Sequence, residues 1–95
     1  VPMTGFNPLP NPELYARYPE AYESMGITAE NLASRYKIAR KEQEKFAINS
    51  QQKAARARAE GKLAKEITPV AGVSEDGCIR AETTLEGLAE LKPAF

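Results

Sequence analysis

Few side chains in this sequence could do chemistry by themselves. Cys78 is the single cysteine, and histidine, the commonest general base, is absent. Arg80 lies two positions after the thiol, but the 95 residues offer no Cys/His pair for nucleophilic catalysis. The carboxylates are scattered singly, and the sequence contains no metal-ligand set or glycine-rich phosphate motif. We therefore expect no catalytic residue and no metal ligand in this chain, and a structural or incidental role for Cys78.

Length and composition indicate one small domain or part of a larger one. The formal net charge is zero, 27% of the residues are charged, and Leu, Ile, Val and Phe together number only 18. Fifteen alanines supply much of the apolar 42%, so large core-forming side chains are few. A domain of this size buries only about 60–65% of its unfolded-chain surface. We expect a marginal core that depends on further protein for its stability.

The cysteine count and the hydropathy pattern bear on the compartment. One cysteine excludes an intramolecular disulfide framework and favours a reducing compartment, which we take to be the cytoplasm. No segment resembles a signal peptide, and no apolar run approaches the roughly 20 residues that a membrane span needs. We therefore expect no membrane partner.

Positive charge is concentrated in the middle of the chain. Residues 35–65 contain ten Lys or Arg against three Glu, whereas both flanking segments are acidic. A basic helix can attract the phosphates of a nucleic acid or of a nucleotide cofactor, and a solvated helix face is the plainer interpretation. Aromatic residues are not interleaved with the basic stretch and no reading motif is present, so we expect no nucleic-acid partner.

The elements that must position these residues are mainly helices. Asn11 as N-cap and Pro12 at the first helical position predict a short first helix. Thr28 is the predicted N-cap of a second helix, supported by a hydrophobic staple between Ile27 and Leu32. A third helix is predicted over about residues 40–60, with Gly61 ending it as a C-cap glycine.

The remaining segments predict a packing face, a hairpin and a last helix. The predicted packing face of the third helix consists of Gln43, Phe46, Ala47, Ser50, Ala54 and Ala57. Most of these side chains are small. Residues 66–70 predict an edge strand interrupted by Pro69, and residues 78–80 a returning strand. Thr83 and Glu86 form a predicted capping box for a short helix. The predicted fold class is α-rich α+β, a small irregular helical domain with a minor β-hairpin.

The order of motifs along the chain resembles the thiolase family. The stretches that carry the resemblance are, in order, VPMTGFNP, YPEAYESMGITAENLASRY, RKEQEKFAINSQQKAARA, GKLAKEITPV and RAETTLEGLAELKPAF. The resemblance implies that residues 1–95 are the loop domain of a larger αβαβα thiolase fold, inserted in its N-terminal half. This domain covers the active site and helps to bind coenzyme A, while the catalytic cysteines and histidine of thiolases belong to the core halves.

The resemblance also implies an activity. Thiolases are acyltransferases that make or cleave 3-ketoacyl-CoA with acetyl-CoA, and they belong to fatty acid metabolism. We therefore expect acyl-CoA as substrate, no tightly bound cofactor, and the remaining thiolase core domains as partners in a homodimer or homotetramer.

Five residues carry over from the family as coenzyme A contacts. Met25 matches a residue beside the pantetheine tunnel. Arg80 matches an arginine against the nucleotide, where a guanidinium can stack on adenine or meet phosphate. Gly87 matches a small residue of the following helix, where close approach of the ligand would explain the glycine. Ala94 and Phe95 match a small-plus-aromatic pair near the pantetheine arm.

Two positions depart from the family pattern. Ser24 stands where short-chain biosynthetic thiolases commonly have histidine, which weakens the resemblance to that subgroup. Ala39 stands where relatives often have a serine that forms a capping box with the acid at Glu42, and loss of such a cap costs about 0.5–2 kcal/mol.

Two other functions compete with the coenzyme A-binding domain. The basic segment would suit a free-standing helical interaction module for acidic partners. Alternatively, the chain is a thiolase domain that serves mainly as an oligomerisation element. In that case the proline-rich start and Phe6 contribute to tetramer contacts.

Overall fold

A computed structural model describes residues 9–95, which form four α-helices joined by short turns and irregular loops. The elements are α1 (Pro12–Arg17), a 3₁₀ turn (Pro19–Tyr22), α2 (Met25–Arg35), α3 (Arg40–Ala59), a second 3₁₀ turn (Ala64–Glu66) and α4 (Leu85–Ala89). Two compact units divide the described residues. The first comprises residues 9–37 and 94–95, and the second comprises Ile38–Pro93.

Helix α1 begins where the sequence predicts. Asn11 Oδ1 accepts hydrogen bonds from the N–H groups of Glu13 and Leu14, at 3.0 and 3.1 Å. Pro12 takes the first helical position, where a missing N–H costs nothing. The Asn11 N–H donates to the Tyr22 hydroxyl at 2.8 Å, so the same residue joins the start of α1 to the 3₁₀ turn.

The predicted N-cap of α2 at Thr28 is wrong. The helix begins at Met25, and Ser24 is its N-cap, with its Oγ accepting from the Ile27 N–H at 3.3 Å. Thr28 lies inside the first turn and its hydroxyl donates to the Ser24 carbonyl at 3.0 Å. The predicted staple between Ile27 and Leu32 fails with the cap, because Ile27 is itself helical.

Helix α3 runs within one residue of its predicted span and ends as predicted at Gly61. The φ of Gly61 is +74°, and its N–H donates to the Arg58 carbonyl at 3.0 Å. The Lys62 N–H donates to the Ala57 carbonyl, also at 3.0 Å. These two bonds define a Schellman motif, which satisfies carbonyls that the helix leaves without intrahelical partners.

The N-terminus of α3 keeps half of a capping box. Ala39 has no side-chain acceptor for the first turn, but its N–H donates to the Glu42 carboxylate at 3.2 Å. The departure from serine at this position therefore removes one of the two reciprocal bonds and leaves the other.

The packed face of α3 differs from the predicted one. Its less exposed side chains are Glu44, Ala47, Ile48, Gln51, Ala54, Ala55 and Ala57. Of the predicted face, Gln43, Phe46 and Ser50 are exposed, Phe46 by 76%. The less exposed face is rotated about the helix axis from the predicted one, because it includes the polar residues Glu44 and Gln51. Glu44 is only 7% exposed.

Arg40 explains the burial of Glu44 and connects α3 with α4. Its Nε donates to the Glu44 carboxylate at 2.9 Å. Its Nη2 donates to the carbonyls of Leu88 and Leu91, each at 3.0 Å. One guanidinium therefore binds both the buried carboxylate and two carbonyls at the C-terminal end of α4.

The predicted β-hairpin is not confirmed, since residues 66–70 and 78–80 form no strands. An isolated antiparallel bridge joins Val70 and Val73, with N–H···O distances of 3.1 and 2.9 Å. The two residues between them have φ values of +51° and +82°, the signature of a two-residue type I′ turn. Pro69 precedes the bridge and has no N–H to extend a ladder.

Helix α4 begins one residue later than predicted. Thr84 is the N-cap, and its Oγ1 accepts from the Gly87 N–H at 3.1 Å. Thr83 instead donates its hydroxyl to the Arg80 carbonyl at 2.7 Å. Glu86 is the second helical residue, so the predicted capping box between it and Thr83 is wrong.

The described residues are α-rich, as predicted, and contain no β-strand. None of the hydrophobic side chains within residues 9–95 is buried. Several large ones are widely exposed, among them Met25 at 79% and Val70 at 69%. The helices of this segment are thus held by caps and polar contacts, without a hydrophobic core of their own. No helix in the described part of the chain is long and apolar enough to cross a membrane.

Candidate functional site

The five residues predicted to contact coenzyme A fall in both compact units. Met25, Ala94 and Phe95 belong to the first unit, and Arg80 and Gly87 belong to the second. All five are exposed, so each is open to a ligand.

In the first unit, the Phe95 ring packs on the backbone of α2 at Gly26. A Cβ built at position 26 would overlap three carbons of that ring. Gly26 lies in the first turn of α2, where a glycine is less favourable than alanine by about 0.5–1 kcal/mol. The close approach of the ring explains the glycine, and it brings an aromatic side chain to the turn that also carries Met25.

In the second unit, the backbone of Arg80 is held on both sides. Its N–H donates to Gln51 Oε1 at 2.8 Å, and its carbonyl accepts from the Thr83 hydroxyl at 2.7 Å. Arg80 is exposed, and its guanidinium has no hydrogen-bond or ion-pair partner within residues 9–95. Within residues 9–95 the main chain of Arg80 is thus fixed and its guanidinium is unpaired, an arrangement that suits a phosphate or the face of an adenine ring.

Gly87 has a local reason to be glycine. Its N–H donates to the Thr84 cap, and a Cβ at this position would lie 3.2 Å from Thr84 Oγ1. An alanine would therefore press on the hydroxyl that caps the helix. The cap accounts for the small residue without requiring a ligand, and contact of Gly87 with coenzyme A stays a prediction.

Sequence reasoning missed the side chains of α3 that hold the Arg80 segment. Gln51 and Arg58 are seven residues apart, which places them on one helix face. Arg58 Nη1 donates to the Asp76 carbonyl at 3.4 Å, and Gln51 binds the Arg80 N–H. Half-buried alanines lie between these two contacts on α3. The signal in the sequence was this seven-residue spacing, with small residues between two long polar ones.

Cys78 takes part in the same segment through its backbone. Its N–H donates to the Asp76 carboxylate at 2.8 Å, which forms an Asx turn two residues before Arg80. The thiol is free and exposed. Within residues 9–95 there is no group of three or more His, Cys, Asp or Glu side chains that could hold a metal ion.

Comparison with known families identifies the chain. The family model described as "Thiolase, N-terminal domain" matches residues 15–95. The chain belongs to the thiolase family. The match includes α2, α3, α4, the end of α1 and all five residues predicted to contact coenzyme A.

Relatives with thiolase names align along the same region. The 3-ketoacyl-CoA thiolase of Bacillus subtilis (strain 168) is 40% identical over an alignment that covers 100% of this chain and 29% of the relative. The 3-ketoacyl-CoA thiolase of Stutzerimonas stutzeri (strain A1501) is 46% identical, over 90% of this chain and 24% of the relative. The human protein named "3-ketoacyl-CoA thiolase, peroxisomal" is 49% identical, over 75% of this chain and 20% of the relative.

These matches confirm the thiolase resemblance and set its scope. The chain spans less than a third of the length of the thiolases it matches. Family membership therefore applies to this segment, whereas the reaction, the substrates and the individual ligand contacts are matters of proposal.

Proposed function

We propose that this thiolase segment is a loop domain that binds coenzyme A and covers the active site. The enzyme that contains it is an acyltransferase that makes or cleaves 3-ketoacyl-CoA with acetyl-CoA. The names of its relatives, 3-ketoacyl-CoA thiolase and acetyl-CoA acyltransferase, support this reaction class. The catalytic residues lie outside the chain, and the chain's own residues bind and orient the acyl-CoA substrate.

The guanidinium of Arg80, which has no partner among the described residues 9–95, is the observation that carries the proposal. Its main chain is fixed by two side-chain hydrogen bonds while the cationic group itself is exposed. Coenzyme A is strongly anionic, and a guanidinium binds phosphate through charge-assisted hydrogen bonds or stacks on adenine. Arg80 therefore binds the nucleotide end of the substrate.

The contacts in the first unit suit the other end of the molecule. Met25 is exposed at the start of α2, and the Phe95 ring lies against Gly26 in the same turn. A thioether and an aromatic ring form an apolar surface against which an extended pantetheine arm can pack. Ala94 adds a small side chain next to that ring.

The exposed apolar side chains support a role as part of a larger enzyme. No hydrophobic side chain within residues 9–95 is buried, and Phe46, in the middle of α3, is 76% exposed. Burial of such a side chain contributes about 1.5–3 kcal/mol. The remaining thiolase core domains cover part of this surface in the assembled enzyme, which is a homodimer or homotetramer. Phe6, proposed as a tetramer contact, lies outside the described residues.

The test measures coenzyme A binding in the full-length enzyme with Arg80→Ala. Loss of a charge-assisted contact of about 1.5–3 kcal/mol raises the Kd about ten- to a hundredfold by isothermal titration. Acetoacetyl-pantetheine lacks the nucleotide, so its KM stays unchanged in the variant. Arg56→Ala is the matched control, because Arg56 is an exposed arginine on α3.

The outcomes separate the competing functions. If Arg80→Ala leaves the Kd for coenzyme A unchanged, Arg80 is not a nucleotide contact. If the full-length protein binds nucleic acid with a steep salt dependence and does not bind coenzyme A, the basic interaction module is the better reading. A cytoplasmic location stays a prediction, and cell fractionation tests it.

A further inference from the structure

Local and long-range hydrogen bonds fix the backbone between residues 76 and 83. The Cys78 N–H binds Asp76, and the Arg80 carbonyl binds Thr83, both over short sequence separations. The bond from the Arg80 N–H to Gln51 spans 29 positions and reaches α3. Gln51 therefore supplies what the two local bonds cannot, a fixed position of Arg80 relative to a 20-residue helix.

The orientation of the Gln51 amide follows from its partner. A backbone N–H can only donate, so the amide oxygen of Gln51 must face Arg80. The side chain is half-buried at the middle of α3, with alanines at positions 54 and 55 leaving room for the segment to approach the helix. Arg58, two turns along, binds the Asp76 carbonyl at a longer 3.4 Å. Of the two links from α3 to this segment, the one at Gln51 is the shorter and acts directly at Arg80.

We propose that Gln51 is a positioning residue for coenzyme A binding, acting through the backbone of Arg80 without touching the ligand. The inference rests on the proposed role of Arg80. An arginine side chain has four rotatable bonds, so its reach to a phosphate depends on where its main chain is held. Without Gln51 the Arg80 N–H loses its partner and the segment between Asp76 and Thr83 moves relative to α3.

The test uses Gln51→Met in the full-length enzyme, because methionine keeps the length and unbranched shape of glutamine and removes the acceptor. The KM for acyl-CoA is expected to rise about threefold to tenfold, with kcat unchanged, since one neutral hydrogen bond is lost. The KM for acetoacetyl-pantetheine stays the same. Gln52→Met is the matched control, because Gln52 is the adjacent glutamine on α3 and is exposed.

Two further measurements separate positioning from general destabilisation. Hydrogen exchange in the enzyme without ligand is expected to speed up at residues 78–83 in Gln51→Met and to stay unchanged in Gln52→Met. In an Arg80→Ala background, Gln51→Met is expected to add no further increase in KM, since both act through one contact.

The results distinguish this inference from the function on which it rests. If Arg80→Ala raises the KM and Gln51→Met does not, the positioning role is overturned and the proposed function stands. Additive effects in the double variant also overturn it, because Gln51 would then act independently of Arg80. If neither variant changes the KM for acyl-CoA, the proposed contact and the inference fail together.

Discussion

The packing of Phe95 on Gly26 gives a prediction in which two known effects oppose each other. Replacement of Gly26 by alanine in the first turn of α2 should stabilise the helix by about 0.5–1 kcal/mol. The new methyl group would overlap the Phe95 ring, so the ring must leave its place. The two effects can be separated because only the second depends on the aromatic side chain.

The cost of moving the ring follows from its exposure. Phe95 is 68% exposed, so about a third of its roughly 200 Å² is covered. At about 25 cal/mol per Å², that covered area corresponds to about 1.5 kcal/mol. The net change for Gly26→Ala is therefore a loss of at most about 1 kcal/mol. In a Phe95→Ala background the same substitution stabilises α2 by about 0.5–1 kcal/mol, since no ring is displaced.

Hydrogen exchange of the α2 amides in the full-length enzyme measures the effect of Gly26→Ala on the local stability of α2, with Phe95 and with Phe95→Ala. Gly77→Ala is the control, since a Cβ there has no atom within 4 Å. The KM for acyl-CoA is expected to rise in Gly26→Ala, because the displaced ring no longer borders the pantetheine arm. If Gly26→Ala has the same effect on α2 in both backgrounds, the packing described here is wrong.

Two further predictions concern the second unit. Arg40→Lys is expected to lower the local stability of α4 by about 1–2 kcal/mol, because lysine keeps a charge beside Glu44 but cannot also donate to two carbonyls. Faster hydrogen exchange of the α4 amides in the variant would show this loss of stability, and equal exchange in wild type and variant would contradict it. Arg56→Lys is the control, because Arg56 is exposed on α3. Ala71→Gly is expected to raise the free energy of unfolding by about 0.5–1 kcal/mol, because φ is +51° at Ala71 and alanine there costs roughly 1–2 kcal/mol. A denaturant titration measures it against Ala81→Gly, where φ is not positive, and a loss of stability in Ala71→Gly would refute the turn assignment.

Local signals in the sequence predicted a helix end correctly where only one nearby residue could serve as the cap. Asn11 before Pro12 and Gly61 after a long polar helix each have a single interpretation, and both ends lie where they were predicted. The start of α2 was missed because Ser24 and Thr28 are both good N-caps, four residues apart. The glycine between them lies in the first turn of the helix, where the Phe95 ring packs on it.

The packed face of α3 was missed for a different reason. Hydrophobic periodicity assigns polar residues to the solvent, but Glu44 and Gln51 lie on the less exposed face of α3 because each has a specific partner. Those partners, Arg40 and the Arg80 N–H, satisfy the polar groups, so their burial carries little cost. No periodicity rule identifies a backbone N–H that lies 29 residues away as the partner of a glutamine.

The polar side chains on the less exposed face of α3 connect the fold of this segment with its proposed function. Arg40, which is paired with Glu44, binds the end of α4, and Gln51 binds the segment that carries Arg80, all from one face of α3. Because the described residues bury no hydrophobic side chain, these polar contacts determine how α4 and the Arg80 segment are held within the second unit. A polar link has defined donors and acceptors, so it fixes a position more narrowly than apolar contact does. An exposed arginine that must meet one anionic ligand requires such a fixed position, and α3 provides it.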